Sequence, residues 1–358
     1  MPNITPELGL AIAVDSDDTA TYLETNLGGS LTTVDSLFNA SSGHTHSGAH
    51  QGGPITSAGV ADGSITNAKL GPDVARANQL TNGGFEIWQR GNGPFTLSGQ
   101  YCADRWIIGL SGTDALSVSR NTANADVGSA VCAALTFTNA GGGNTLISQQ
   151  YPVTEFPQLA GRPLSLSVRV STTVANAVRL GLYNGSAWSY SAYHPGSGGY
   201  QTLTIPNITP SGSGTVFVAI YVANASCTAY VDNACLVVGS QPANYVPLHP
   251  ADDLARCLRY FETIGDDGDV ILGGLTPASP TSPTAFATVS FKARKAVTPT
   301  ITFVGGAWTA VNITGGGPVI NAVGRGSARL NLGSAGPASG TYYVASDTTH
   351  YITAESNP

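Results

Sequence analysis

Charged side chains are scarce in this sequence, where Asp, Glu, Lys and Arg together make up 10% of the 358 residues. The 15 Lys and Arg residues form no basic run, and the formal net charge is −7. Proteins that bind nucleic acids or anionic membranes ordinarily display a cluster of basic residues. We therefore expect neither nucleic acid nor an anionic membrane surface among the partners.

Long apolar runs and paired cysteines are also missing. No stretch approaches the roughly 20 apolar residues of a membrane span, so we expect no membrane insertion. The N-terminus shows no signal-peptide pattern of a basic region followed by an apolar core. The cysteines are odd in number and include no Cys-x-x-Cys pair, which is typical of small buried hydrophobic residues in a protein made in a reducing cytosol. They are Cys102, Cys132, Cys227, Cys235 and Cys257.

Familiar catalytic signatures are absent as well. The sequence has no Gly-x-Ser-x-Gly elbow, no phosphate-binding Walker loop and no His-Glu-x-x-His motif. His194, His249 and His350 are each isolated in the sequence, which gives no support to a catalytic triad. We therefore expect a protein that is not an enzyme. Paired carboxylates that cleave glycans leave no such motif, and this alternative stays open.

What the sequence does contain is 44 glycines among many Thr, Ser and Asn residues, a composition typical of mainly β proteins with many turns. Apolar and polar residues alternate over 164–170, 178–183 and 216–222. Such period-2 runs, separated by Gly, Pro and Asn clusters, indicate antiparallel strands. The span 81–240 has the length of a jelly-roll β-sandwich, which we predict there.

A linker and a helix follow in residues 241–265. Leu254, Cys257, Leu258 and Phe261 recur at helical spacing, which predicts one amphipathic helix over 250–264. Short alternating runs return in residues 266–358 and predict a smaller C-terminal β-sandwich.

The N-terminal 80 residues have too few apolar side chains to form a core of their own. Residues 1–40 are mildly apolar, so we expect them to dock on another chain. Residues 41–80 are rich in Gly, Ser and Ala, and predict either a narrow shaft of three chains or a flexible linker.

The hexapeptide Gly-His-Thr-His-Ser-Gly lies in this segment and contains His44 and His46. In an extended strand these two imidazoles point to the same face. Three chains around a three-fold axis supply six nitrogen ligands, which favours an octahedral transition metal, with iron as the first choice. The alternative is a solvated loop that happens to contain histidines.

Several of these segments resemble parts of bacteriophage tail proteins. The Gly-His-Thr-His-Ser-Gly element resembles the His-x-His motif of phage tail fibres, in which three chains ligate iron on the trimer axis. Residues 62–70 resemble fibre-shaft segments, and residues 82–91, 103–106 and 256–261 resemble pieces of phage tail proteins. The resemblance implies a homotrimeric fibre on the virion, assembled in the host cytoplasm, whose residues 1–40 bind other virion proteins. It fits a tail fibre or, alternatively, a head fibre or decoration protein of the capsid.

Residues 81–240 are also similar to carbohydrate-binding modules of the jelly-roll type. The similarity rests on the Asn-Gly-Gly-Phe-Glu opening at 82–86 and on the closing strand 229–236. In such modules the opening glutamate and the closing aspartate help to hold a structural calcium. The resemblance implies this role for Glu86 and Asp232, and the alternative is that both are ordinary turn or edge residues.

Aromatic residues near glycine-rich loops indicate a candidate binding surface for sugars. Flat rings stack on sugar rings, and neighbouring Asn and Ser side chains hydrogen-bond to hydroxyls. The alternative is that the rings alternate into the sandwich core. With the phage resemblance, we expect adhesion to host-surface glycans, and a glycan-cleaving tailspike enzyme is the alternative. The candidate residues are Tyr183, Trp188, Tyr190 and Tyr193, with Tyr200 in the same cluster.

Overall fold

The computed structural model divides the chain into two compact units, Met1–Thr66 and Asn67–Pro358. In the first unit it describes one antiparallel pair, β1 (Asn3–Ile4) and β2 (Ala11–Ile12). Apart from these two strands, the expectations for residues 1–40, for the shaft up to residue 75, and for His44 and His46 concern residues outside the described part. In the second unit the structure describes residues 76–357, except 142, 213, 267–269, 273, 276–283, 306–307, 312, 315–317, 336–342 and 347–348.

Ten antiparallel strands build the first domain of the second unit. They are β3 (Ile107–Gly109), β4 (Ala115–Asn121), β5 (Cys132–Thr138), β6 (Thr145–Pro152), β7 (Leu164–Thr172), β8 (Val178–Tyr183), β9 (Trp188–Tyr190), β10 (Gln201–Ile208), β11 (Thr215–Val222) and β12 (Cys227–Val238). The first sheet has the order β10–β7–β12–β5–β4, and the second has the order β3–β6–β11–β8–β9.

This strand order confirms the predicted jelly roll. The sets β10–β7–β12–β5 and β6–β11–β8–β9 are the two four-stranded sheets of two interlocked Greek keys. β4 adds an edge strand to the first sheet, and β3 adds one to the second. The alternating residues of β7, Leu164, Leu166, Val168 and Val170, are fully buried in the core between the sheets.

The helix that follows is shorter than predicted. This helix, α1, spans Pro250–Leu258. At its N-terminus the His249 side chain accepts a hydrogen bond from the backbone N–H of Ala251. Residues 261–264 form a strand instead of its last turn, because they pair with the C-terminal strand of the chain. Strand pairing here overrides a helical spacing that the sequence alone supports. A 3-10 turn, Pro157–Leu159, lies earlier in the chain.

The C-terminal part is a set of short antiparallel strands, as predicted. Its strands are β13 (Phe261–Ile264), β14 (Val270–Leu272), β15 (Gly274–Leu275), β16 (Thr284–Ser290), β17 (Thr300–Val304), β18 (Thr309–Val311), β19 (Ile313–Thr314), β20 (Val319–Val323), β21 (Ser327–Ala335), β22 (Tyr343–Ala345) and β23 (Tyr351–Glu355). β16 and β21 of one sheet share a hydrophobic core with β17 and β23 of another, as in a sandwich.

Two arginines of the segments that resemble phage proteins join the jelly roll to this C-terminal part. The guanidinium of Arg90 lies 3.6 Å from the ring centroid of Phe261 and forms a salt bridge with Glu355. The guanidinium of Arg105 lies 3.9 Å from the ring centroid of Tyr260. The sequence segments 82–91 and 103–106 therefore connect two parts of the fold.

All five cysteines are buried and unpaired, as predicted for small hydrophobic residues. Among the helices that the structure describes, none has the length and apolar character needed to cross a membrane.

Candidate functional site

The outer face of the second sheet follows from the alternation along its strands. On β8, Val178, Leu180 and Leu182 are fully buried between the two sheets. Because successive side chains point to opposite faces of a strand, Arg179 and Tyr183 lie on the outer face. β11 alternates in the same way, so the outer face collects side chains from both strands.

Strand register places aromatic residues side by side on this face. Tyr183 pairs with Trp188 of β9 on one side and with Phe217 of β11 on the other. Arg179 pairs with Tyr221 of β11. Side chains opposite each other in neighbouring strands lie within contact distance. The sheet therefore assembles a continuous patch from residues up to 42 positions apart, from Arg179 to Tyr221.

The rings of this patch contact one another. The ring centroids of Tyr183 and Trp188 are 5.2 Å apart, and those of Trp188 and Tyr221 are 5.6 Å apart. The Trp188 and Tyr190 rings are stacked, 6.2 Å apart with an angle of 14° between their planes. Tyr193 reaches the patch through Arg179, whose guanidinium lies 4.9 Å from its ring centroid. We call this set the aromatic face: Tyr183, Trp188, Tyr190, Tyr193, Phe217 and Tyr221.

Two small residues in the centre of the sheet let the rings approach. Gly181 of β8 pairs with Ala219 of β11, between the larger residues on either side. A Cβ atom on Gly181 would lie 2.5 Å from Cε2 of Tyr221 and 3.1 Å from Cε3 of Trp188. No larger residue fits here without moving a ring, so the packing of the aromatic rings requires glycine at this position.

The aromatic face is partly open to solvent. Tyr190 is 42% exposed, whereas Tyr221 is 4% exposed beneath its neighbours. Tyr183, Trp188 and Phe217 are half-buried. The rings thus lie outside the sandwich core, and flat apolar surface with phenol hydroxyls is available for stacking on a ring-shaped polar ligand.

One candidate from the sequence does not belong to this face. The Tyr200 hydroxyl donates a hydrogen bond to the carbonyl of Asn124, at 2.8 Å. Its ring centroid lies 5.7 Å from the guanidinium of Arg169, which is on the first sheet. Grouping Tyr200 with the other tyrosines was wrong, because nearness in sequence does not tell which sheet a strand joins.

Three members of the site were missed at the sequence level, namely Arg179, Phe217 and Tyr221. Their strands were recognised, and the alternation within 178–183 and 216–222 already separates them from the core residues. What the sequence does not contain is the register that brings β8, β9 and β11 together.

Glu86 and Asp232 lie near a polar cleft of about 570 Å³ beside the first sheet. Glu86 is exposed and lines the cleft, whereas Asp232 is fully buried. The carboxylate of Asp232 accepts hydrogen bonds from the backbone N–H groups of Asp126 and Asn233, at 3.1 Å and 2.7 Å. Burial raises the pKa of Asp232 to about 6.

As placed, the carboxylates of Asp232 and Asp126 already have hydrogen-bond partners within the chain. Calcium takes six to eight oxygen ligands, but backbone N–H groups occupy the oxygens of Asp232, and Arg169 occupies those of Asp126. In the described part of the chain, no three His, Cys, Asp or Glu side chains converge as a metal site. The calcium site stays a prediction.

Comparison with known proteins gives matches in structure only. No protein family matches the sequence, and no curated protein sequence matches it either. The enzymatically active domain of tailspike protein 4 from bacteriophage CBA120 matches 45% of this chain, at 14% identity and a TM-score of 0.33. That match spans only 21% of the tailspike chain.

Two other solved structures match similar shares. TmCBM61, solved with β-1,4-galactotriose, matches 45% of this chain and 99% of its own, at 16% identity and a TM-score of 0.32. A xylan-binding domain from CBM 22 matches 42% of this chain and 97% of its own, at 15% identity and a TM-score of 0.30. With TM-scores this far below 0.5, the matches carry no argument about function.

Proposed function

We propose that this chain is a homotrimeric fibre protein of a bacteriophage virion that attaches the particle to glycans on the host surface. The observation that carries the proposal is the aromatic face, a half-open cluster of six rings on the outside of a jelly roll. An apolar patch on an outer sheet face is typical of a binding surface. Its phenol hydroxyls and flat rings suit a ligand that presents both C–H faces and hydroxyl groups, as sugars do.

Trimerisation would raise the avidity of such a face for a surface that carries many glycans. A single stack of sugar on aromatic rings binds weakly, but three faces on one fibre engage the host surface together. Linked sites of this kind raise the overall avidity by about 10²–10⁴ without any new contact.

The remaining parts of the proposal come from the sequence. Residues 1–40 would bind another virion protein, and His44 and His46 of three chains would hold iron on the trimer axis. Light scattering should then give three times the chain mass of 36.5 kDa, and elemental analysis about one metal per three chains. A stable monomer, or a metal-free trimer from a preparation without chelator, contradicts this part. Immunolabelled virions tell a tail fibre from a fibre on the capsid.

Glycan binding is tested by removing rings from the aromatic face. Trp188→Ala and Tyr190→Ala should each weaken binding to a glycan array and adsorption to host cells, by about tenfold or more, because each removes a stacking surface. Tyr190 is the safer site, since its larger exposure makes a folding defect less expected. Tyr230→Ala is the matched control, because Tyr230 is a half-buried tyrosine on β12 of the other sheet.

Unchanged binding by a folded Tyr190→Ala and a folded Trp188→Ala contradicts the proposal. So does an equal loss in Tyr230→Ala. Incubation with host capsule or lipopolysaccharide addresses cleavage directly: we expect retention without new reducing ends, whereas new reducing ends identify an enzyme.

A further inference from the structure

Arg179 carries a positive charge at the aromatic face, and no carboxylate among the described residues pairs with it. The residue is half-buried and is the second residue of the β8 strand. In the described part of the chain its guanidinium forms no salt bridge, and its buried Nε has no hydrogen-bond acceptor. Its contacts are with rings: the guanidinium carbon lies 3.9 Å from the centroid of Tyr190 and 5.9 Å from that of Tyr221.

The arginine at the corresponding outward place on the first sheet is fully paired. Arg169 of β7 donates from Nε and Nη2 to the two carboxylate oxygens of Asp126, at 2.5 Å and 3.0 Å. The fold therefore supplies a carboxylate to one outward arginine. The other one receives only rings.

Ring contacts do not satisfy a guanidinium completely. Stacking and cation–π attraction engage the two flat faces of the group, whereas its five N–H donors point outward in the plane. Holding such donors away from water without an acceptor costs free energy. A planar acceptor with two oxygens, such as a carboxylate, matches the donor geometry and is bound in a bidentate manner.

We infer that Arg179 binds the carboxylate of an acidic saccharide, of the uronic acid type, whose sugar rings stack on the aromatic face. This inference rests on the proposed glycan-binding function and names the class of glycan. A charged acceptor strengthens a hydrogen bond about twofold over a neutral one. Arg179 therefore gives acidic glycans an advantage over neutral glycans that stack on the same rings.

The test uses matched pairs of immobilised saccharides: uronic acid oligosaccharides and the same oligosaccharides after reduction of their carboxyl groups to alcohols. The wild-type protein should bind the acidic member about tenfold or more strongly than the reduced member. This preference should shrink as salt is raised, because salt screens the charge pair.

Arg179→Met should remove the preference, so that it binds the acidic and the reduced members equally, whatever level of binding the rings retain. Arg120→Met is the matched control: it removes the same charge from an exposed position on β4 of the other sheet and should keep the preference. Arg179→Gln serves as a second variant, and thermal unfolding checks that each protein is folded.

The outcomes separate the two proposals. If the wild-type protein binds acidic and reduced members equally, or if folded Arg179→Met keeps the preference, the inference is overturned while glycan binding stands. If Arg120→Met loses the preference as well, a general charge effect is responsible and the inference is again overturned. If the wild-type protein binds no saccharide of either kind, the proposed function fails, and the inference with it.

Discussion

The two outer faces of the jelly roll arise from the same alternation of side chains along the strands, but they differ in how far the rest of the chain covers them. On the first sheet, the hydroxyls of Ser165 and Ser167 donate to the carbonyls of Gly239 and Ala243, at 2.7 Å and 2.5 Å. The chain after β12 thus folds back over part of this sheet. On the second sheet, the described chain leaves the aromatic face partly open.

The covering of the first sheet also includes apolar contacts. Cys235 and Val237 of β12 form a small buried cluster with Ala243, and Tyr245 packs against it. Polar and apolar groups of the first outer face therefore find partners within the chain. The comparison shows that this fold can cover an outer sheet face with its own chain. The aromatic face is left partly open on the second sheet, although the first sheet is partly covered.

The largest effect is expected from filling the centre of the aromatic face. In Gly181→Val the new side chain collides with the rings of Trp188 and Tyr221. We expect a loss of about 1–3 kcal/mol in the free energy of unfolding, as for other overpacked sites, and at least tenfold weaker glycan binding. Gly199→Val is the control, because a Cβ atom there meets nothing within 4 Å. Denaturant unfolding and array binding measure both, and wild-type behaviour of Gly181→Val contradicts the packing described.

An intermediate effect on the free energy of unfolding should distinguish Arg169 of the first sheet from Arg179 of the second. Arg169→Met leaves the nearly buried carboxylate of Asp126 without its cationic partner, although the Val127 N–H still donates to it, and we expect it to lower the free energy of unfolding by about 1–2 kcal/mol. Arg179→Met strands no carboxylate and loses only ring contacts, so its cost should be smaller, about 0.5–1 kcal/mol. Urea unfolding of both variants gives the comparison. Equal losses in the two variants speak against a difference in pairing.

A change of stability with pH is expected from the buried carboxyls. Burial raises the pKa of Asp232 to about 6, so between pH 4 and 6 the unfolded carboxyl ionises while the folded one keeps its proton. The free energy of unfolding should therefore fall as pH rises through this window, by at most about 1.4 kcal/mol per pH unit for one group. Asp104, whose pKa burial also raises to about 6, adds a similar contribution.

Asp232→Asn should remove one of these two contributions and so flatten the profile between pH 4 and 6. Unfolding of both proteins across this range measures the difference. A variant with the same pH profile as the wild type contradicts the assignment to Asp232.

Much of this architecture can be predicted from the sequence, because alternation over 164–170 and 216–222 reports buried strand faces directly. Tyr183, Trp188 and Tyr190 are recognisable as site candidates from their density near turns. Arg179 is not, since an arginine in a strand has the same local pattern whether its partner is a carboxylate or a ring. Only the pairing of β8 with β9 and β11 decides between the two. The helix end at Leu258 was missed for a similar reason, because the pairing of β13 with β23 is not local.

The most direct test is a crystal structure of the protein with an oligosaccharide selected on the array. The account predicts sugar rings stacked on Trp188 and Tyr190 of the second sheet, with an acidic group within hydrogen-bond distance of Arg179. A sugar bound in the polar cleft beside Asp126 and Tyr245, with the aromatic face empty, contradicts it.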